Sequence, residues 1–123
     1  MQSLSIEALP SVIIRHFAAC KDGNIDAYLE TFAPDALVND AQREFASPAA
    51  IRAWAEKEIF SANVTFEMAE AFEQLGNYVV RCRTDGDFDK SNLPDPLILT
   101  SYFSVQHQQV TQLIILLNRS AEA

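Results

Sequence analysis

The chain has 123 residues, of which 49% are hydrophobic and 21% charged, a composition typical of one compact globular domain. Its 9 Lys and Arg against 17 Asp and Glu give a net charge of −8, which repels phosphate backbones, so we expect no nucleic-acid partner. No apolar run approaches the ~20 residues of a membrane helix, and the first residues lack a signal-peptide pattern. We therefore expect a single cytoplasmic domain spanning residues 1–123, without membrane contact.

Three helices are predicted in the first half of the chain. Apolar side chains recur at helical spacing over about residues 8–21, and Gly23 then favours the end of this helix. Asn24 is a good N-cap for a second helix, which Pro34 is expected to end. Ser47 followed by Pro48 predicts the start of a third helix, which continues to about Phe60.

Strands dominate the rest of the sequence. A short strand over 36–39 with a partner over 43–45 precedes the third helix, and alternating residues over 64–68 and 78–84 predict a hairpin. After an acidic loop over 84–96, two long strands are predicted over 97–107 and 110–118. Helices followed by strands indicate an α+β fold, in which a bent, mostly antiparallel sheet wraps the three helices like a cone.

The last predicted strand is apolar on both faces. Leu113, Ile115 and Leu117 alternate with Ile114 and Leu116. A solvated outer face is not built this way, so we expect the outer face of the sheet to be covered by a second copy of the chain. The sequence therefore predicts a homodimer.

Two polar residues interrupt apolar patterns and are candidates for chemistry. His16 lies on the apolar face of the first helix, where a buried histidine with one hydrogen-bond partner is the plainer interpretation. Asp40 ends an apolar strand; it either caps the turn toward Arg43 or, between apolar walls, acts as a general base.

Other residue classes point to the interior rather than to a cofactor. The aromatic residues Tyr28, Trp54 and Phe66 stand at helix or strand spacing typical of core positions. Cys20 and Cys82 fit small buried hydrophobic positions. The spacing of Asp85, Asp87 and Asp89 lacks the glycine and glutamate that a calcium loop needs, and no phosphate-binding, dinucleotide or zinc motif occurs. We expect no metal and no cofactor.

The chain resembles the nuclear transport factor 2-like superfamily, in particular its SnoaL-like and ketosteroid-isomerase-like enzymes. The resemblance covers nearly the whole chain. It is carried by the segments Arg15-His16-Phe17-Ala18-Ala19, Asp22-Gly23-Asn24-Ile25-Asp26, Phe32-Ala33-Pro34-Asp35-Ala36, Val38-Asn39-Asp40, Pro48-Ala49-Ala50-Ile51-Arg52-Ala53-Trp54 and Leu99-Thr100-Ser101-Tyr102-Phe103.

This resemblance implies roles for individual residues. Asp40 falls where ketosteroid isomerases keep their general base. His16 replaces an oxyanion-hole tyrosine and Ser101 a protonated aspartic acid, which argues against steroid isomerisation itself and favours another carbonyl substrate. Asp40 would take the α-proton and His16 would donate a hydrogen bond to the enolate. The substrate-binding wall is expected to comprise Tyr28, Trp54, Phe66, Ser101 and Phe103.

Three functions remain open at this point. The first is an isomerase acting on an apolar or carbonyl-containing small molecule. The second is a dehydratase or hydrolase in which Asp40 and His16 act as a pair, which requires the two side chains to meet within hydrogen-bond reach. The third is a ligand-binding or dimeric adaptor domain without chemistry, for which Asp40 would be exposed or held by backbone N–H groups.

Overall fold

The computed structural model describes residues 1–117 and contains three helices and seven strands. The helices are α1 (Ser11–Lys21), α2 (Ile25–Glu30) and α3 (Pro48–Ala55). A 3₁₀ turn (Ile6–Ala8) precedes α1, and a π-helical turn (Glu56–Phe60) continues α3. The strands are β1 (Gln2–Leu4), β2 (Phe32–Asp40), β3 (Arg43–Phe45), β4 (Thr65–Gln74), β5 (Asn77–Asp85), β6 (Ile98–Gln106) and β7 (Gln109–Leu116). The predicted α+β class is confirmed.

All seven strands form one mixed sheet in the order β1-β4-β5-β6-β7-β2-β3. Five of the strand pairs are antiparallel, and β2 runs parallel to β7. The sheet does not close, because β1 and β3 form its two edges. A mostly antiparallel sheet beside three helices is therefore the architecture that the sequence indicated.

The helix starts follow from capping side chains. The Asn24 carboxamide oxygen accepts a 3.1 Å hydrogen bond from the backbone N–H of Ala27 at the start of α2. Ser47 Oγ accepts one of 3.1 Å from Ala50 N–H at the start of α3, where Pro48 occupies the first turn. Both caps satisfy backbone donors that have no partner within the helix, as the sequence predicted.

Several boundaries differ from the sequence-based expectation. The helix predicted from about residue 8 begins at Ser11, the strand predicted over 36–39 begins at Phe32, and the strand predicted over 64–68 continues to Gln74. The second helix ends at Glu30 rather than at Pro34, because the carbonyl of Thr31 accepts a 2.8 Å hydrogen bond from Val110 N–H and Phe32 already pairs with β7. The edge strand β1, which pairs with β4, was not predicted at all. Three residues are too short a segment to show a strand period. The predicted end of the last strand at Asn118 lies outside the described residues.

The core lies between the helices and the inner face of the sheet. Phe103 and Leu113 of neighbouring strands β6 and β7 are buried there, and Ser101 is buried as well. Cys20 and Cys82 are also buried, and burial raises the pKa of each thiol to about 12, so both behave as small apolar side chains. Within residues 1–117, no helix has the length and apolar character needed to span a membrane.

Candidate functional site

A cavity of about 720 Å³ opens where α3 and its π-helical turn meet the ends of β2, β6 and β7. This volume falls in the range of small-molecule sites. Its lining is mostly apolar with a group of charged side chains: Asp40, Ala41, Arg43, Trp54, Lys57, Glu58, Ile59, Ala62, Val64, Phe66, Thr84, Asp87, Phe88, Leu93, Leu97, Leu99, Ile115 and Leu117.

Asp40 lies in the wall of this cavity, at the last position of β2. Its Oδ2 accepts two hydrogen bonds, one from Trp54 Nε1 and one from an Arg43 amino group, each 3.0 Å long. The side chain is 22% exposed. Among the described residues, no donor reaches Oδ1. The carboxyl group is thus held by one oxygen while the other is free to meet a ligand.

Arg43 connects Asp40 to Glu58. The two-residue turn Ala41–Gln42, with both residues at positive φ, brings Arg43 directly opposite Asp40 in the β2–β3 pair. Two parallel hydrogen bonds of 2.8 Å join the guanidinium to the Glu58 carboxylate. This contact raises the pKa of Arg43 and lowers the pKa of Glu58, so both groups stay charged.

The π-helical turn after α3 shapes the charged side of the cavity. Three consecutive residues, Lys57, Glu58 and Ile59, all contribute to the lining. An ordinary helix would spread three successive side chains over roughly 200° of its circumference, whereas a π turn is wider and occurs often at functional sites. Here it presents Glu58 to Arg43 and places Lys57 beside the cavity.

Trp54 and Phe66 form aromatic parts of the wall. Trp54 is buried and stacks on Phe45 of β3 at a ring distance of 5.7 Å. Phe66 of β4 contacts Phe17 of α1 edge to face at 5.8 Å. Both rings therefore belong partly to the core and partly to the cavity wall.

His16 lies in the core among four aromatic rings. Its ring centre is 4.4 Å from that of Tyr28 and between 5.1 and 5.6 Å from those of Phe17, Phe103 and Phe32. Thr31 donates its hydroxyl hydrogen to the Tyr28 carbonyl at 2.6 Å, so its oxygen accepts the 3.2 Å bond from His16 Nδ1–H. Burial lowers the pKa of His16 to about 3, and the imidazole is neutral.

The comparison with protein families decides where this fold belongs. The family model described as "SnoaL-like domain" matches residues 13–112, which include both Asp40 and Trp54. The chain belongs to the SnoaL-like domain family. Among curated proteins, no match to the sequence is found.

Several solved structures share this fold. A candidate polyketide cyclase from Sinorhizobium meliloti is 28% identical, with a TM-score of 0.81 over 92% of this chain and 100% of that one. A Catenulispora acidiphila protein with a ketosteroid-isomerase-like fold, in complex with trimethylamine, has 15% identity and a TM-score of 0.74 over 89% and 86%. The Δ5-3-ketosteroid isomerase of a Mycobacterium species has 14% identity and a TM-score of 0.69 over 88% and 91%.

In this SnoaL-like domain the predicted site residues fall into two groups. Asp40, Trp54 and Phe66 line the cavity. The remaining four, His16, Tyr28, Ser101 and Phe103, are buried and are not part of that lining. Tyr28 lies between the groups, since its ring is 4.4 Å from His16 and 6.5 Å from Trp54. Asp40 and His16 have separate hydrogen-bond partners and do not bond to each other.

Sequence reasoning did not identify several residues of the cavity. Arg43 carried a weak signal, because it follows Asp40 by three positions across a turn. Lys57 and Glu58 carried no such signal in the sequence, because the direction of their side chains depends on the π-helical turn. Phe88, Leu93 and Leu97 come from the loop after β5, whose path is fixed by tertiary contacts rather than by a periodic pattern.

Proposed function

We propose that this SnoaL-like domain is an isomerase-type enzyme that binds an apolar, carbonyl-containing small molecule and uses Asp40 to abstract the proton α to the carbonyl. One observation carries the proposal: Asp40 lies in the cavity wall with Oδ2 held by Trp54 and Arg43 and with Oδ1 unbonded to any described residue. A carboxylate fixed in this way is oriented for proton transfer.

The reaction balances without a cofactor. Oδ1 of Asp40 takes the α-proton, the carbon–hydrogen electron pair moves into the enolate, and Asp40 returns the proton to another carbon. An enolate needs a hydrogen-bond donor near its oxygen. Arg43 uses four of its five N–H donors on Glu58 and Asp40, and we assign the remaining one to the enolate oxygen.

His16 has a different part in the proposal from the one suggested by the family resemblance. Its single proton is on Nδ1 and is donated to Thr31, so no N–H remains for an enolate in this arrangement. We assign it to support of the Tyr28 ring, which contacts Trp54. For the same reason we rank the dehydratase or hydrolase alternative, which needs an Asp40–His16 pair, below the isomerase.

The adaptor alternative requires an Asp40 that is exposed or engaged by backbone N–H groups. Asp40 instead is mostly buried and is held by two side-chain donors. This arrangement supports a catalytic role over a purely structural one.

Hydrogen–deuterium exchange tests the proposal without knowledge of the natural substrate. A panel of single-ring and fused-ring ketones is incubated with the protein in D₂O, and loss of the α-proton signals is followed by NMR. We expect enhanced exchange for ketones that fit the cavity, abolished by Asp40→Asn and retained by Asp35→Asn, an exposed carboxylate on the same strand. Full activity of Asp40→Asn would refute the general base, and binding without exchange would favour the adaptor.

We also propose that two copies of the chain pair through the outer face of the sheet. Ile114 and Leu116 lie opposite the core-facing Leu113 and Ile115, and both remain partly exposed in the single chain. A second copy would bury this apolar surface.

A further inference from the structure

One cation of the cavity, Lys57, forms no direct ion pair within residues 1–117. Lys57 lies in the lining, on the π-helical turn, and its ammonium group forms neither an ion pair nor a hydrogen bond with a described residue. Arg43, the other cation of the lining, is paired with Glu58 and Asp40 and keeps one N–H donor, which is the one assigned to the enolate oxygen. Lys57 is thus the cation of the lining whose charge is not already paired with a carboxylate in direct contact.

Acids outnumber bases 17 to 9 in this chain, so carboxylate partners for its lysines and arginines are abundant. Eight Lys and Arg fall within the described residues, since Arg119 lies outside them. Five of these form ion pairs: Arg43, Arg52, Arg81, Arg83 and Lys90. The three without a carboxylate are Arg15 and Lys21 on α1, away from the cavity lining, and Lys57.

The acids around Lys57 are already occupied. Glu58 is held by Arg43 through two hydrogen bonds, and Glu56 accepts a 3.1 Å hydrogen bond from Arg52. Asp87, the remaining carboxylate of the lining, accepts a 2.8 Å hydrogen bond from Asn63. Lys57 and Glu58 attract each other through space, which contributes to the lowered pKa of Glu58, but within residues 1–117 no carboxylate pairs directly with the Lys57 ammonium.

The other side of the cavity is apolar. It is formed by side chains of β4, the loop after β5, and strands β6 and β7: Val64, Phe66, Phe88, Leu93, Leu97, Leu99, Ile115 and Leu117. A ligand with an apolar body against this wall presents its polar end to the side that carries Asp40, Arg43 and Lys57. The lining therefore fits an amphipathic molecule rather than a uniformly apolar one.

We infer that the ligand of this cavity is an apolar compound with one carboxylate, and that Lys57 binds that carboxylate. The inference rests on the proposed small-molecule function and names its substrate class. Lys57 is exposed, and a hydrated ammonium with three donors suits an anionic group at the cavity mouth better than an enolate formed inside. Asp40 and Arg43 remain available for the carbonyl end of the same molecule.

Paired probes test this inference through the only tryptophan of the chain. The indole N–H of Trp54 gives a single cross-peak in a ¹H–¹⁵N spectrum, and its shift is titrated with 1-naphthaleneacetate and with the neutral 1-naphthaleneacetamide. We expect the acid to bind about fivefold more tightly than the amide, which is the ratio of affinities that one exposed ion pair provides. Lys57→Gln should remove this preference, Lys57→Arg should keep it, and the matched charge change Lys21→Gln should leave it unaltered.

The outcomes separate this inference from the proposed function. Equal binding of acid and amide by the wild type, or a preference that survives Lys57→Gln, overturns the role of Lys57 while leaving Asp40 and proton abstraction intact. Failure of both probes to shift the Trp54 signal overturns the ligand cavity itself and with it both proposals. Loss of the preference only in Lys57→Gln, with the amide affinity changed less than about twofold, supports the inference. High salt should weaken the binding of the acid more than the binding of the amide.

Discussion

The indole N–H of Trp54 donates a 3.0 Å hydrogen bond to Oδ2 of Asp40 and thereby joins α3 to the end of β2. The same carboxylate oxygen accepts from Arg43, which in turn is fixed by Glu58. Asp40 is therefore oriented from two directions, by the helix through Trp54 and by the π-helical turn through Arg43. A side chain at a strand end would otherwise rotate freely, and the free Oδ1 would have no fixed direction.

The first prediction concerns this indole donor. Trp54→Phe keeps an aromatic ring beside Phe45 but removes the N–H, which leaves Arg43 as the one side-chain donor to the Asp40 carboxylate within residues 1–117. We expect the free energy of unfolding to fall by about 1–2 kcal/mol, measured by urea denaturation with far-UV circular dichroism. Ketone exchange should fall at least about tenfold, because Asp40, the proposed base, loses one of the two donors that orient it.

Phe45→Leu is the control for the tryptophan variant. It removes the stacked ring at 5.7 Å but keeps the indole hydrogen bond. We expect a loss of stability with most of the exchange activity retained. If Trp54→Phe were as active as the wild type, the hydrogen bond would be structural only and the positioning of Asp40 would need another cause.

Local signals account for the parts of the structure that the sequence predicted. The side chains of Asn24 and Ser47 cap backbone N–H groups only three residues further along the chain. Strand alternation places Ser101 and Phe103 on the buried face of the sheet. These features depend on residues within one turn or one strand, so they are readable without tertiary context.

The site was only partly predictable, because it depends on contacts between distant elements. Asp40 was singled out by its place at a strand end, but its partners Trp54 and Arg43 become visible only when α3 lies against β2. The direction of Lys57 follows from a π-helical turn that has no sequence pattern. His16 was placed correctly on the apolar face, yet its neighbour Thr31, 15 residues away, decides which nitrogen carries the proton.

The second prediction follows from the neutral His16. Its pKa is about 3 in the folded chain against 6.5 in the unfolded one, so between these values only the unfolded chain takes up a proton. The free energy of unfolding therefore falls as pH falls from 6.5 toward 3, by about 1.4 kcal/mol per pH unit from this residue. Urea denaturation over a pH series measures the slope.

His16→Phe isolates the contribution of the imidazole. The variant keeps an aromatic ring in the cluster, and Thr31 still donates to the Tyr28 carbonyl. Between pH 6 and 4 we expect its stability to depend less steeply on pH than that of the wild type. His107→Asn, which removes the exposed imidazole in the β6–β7 turn, should behave as the wild type does. Identical slopes for His16→Phe and the wild type would contradict a buried neutral His16.

The third prediction tests the proposed pairing of sheets. Analytical ultracentrifugation of the wild type should give twice the chain mass of 13.7 kDa. Leu116→Glu places a charge on the outer face and should give the single-chain mass at micromolar concentration, because an unpaired carboxylate at the centre of an apolar interface is costly. The same substitution at Leu75, which is 93% exposed in the β4–β5 turn, should leave the dimer intact. A monomeric wild type would rule out the dimer.

The last prediction concerns the loop after β5, which supplies one wall of the cavity. At Gly86 an added Cβ would lie 2.9 Å from the Phe88 ring and 3.0 Å from both the Ala62 carbonyl oxygen and the Val64 Cα. Two of these neighbours are backbone atoms and cannot rotate away. The loop is also tied down here, since Asp87 N–H donates to the Ala62 carbonyl at 2.6 Å.

Gly86→Ala should therefore displace the loop and the Phe88 side chain that lines the cavity. We expect a loss of about 1–3 kcal/mol in the free energy of unfolding, typical of overpacking, and faster proteolytic cleavage within residues 86–97. Asn92→Ala, at an exposed position of the same loop, should change neither measurement. Because the clash involves fixed backbone, a fully stable Gly86→Ala would mean that the loop lies farther from Ala62 and Val64. Phe88 would then not line the cavity, and this part of the candidate site would be wrong.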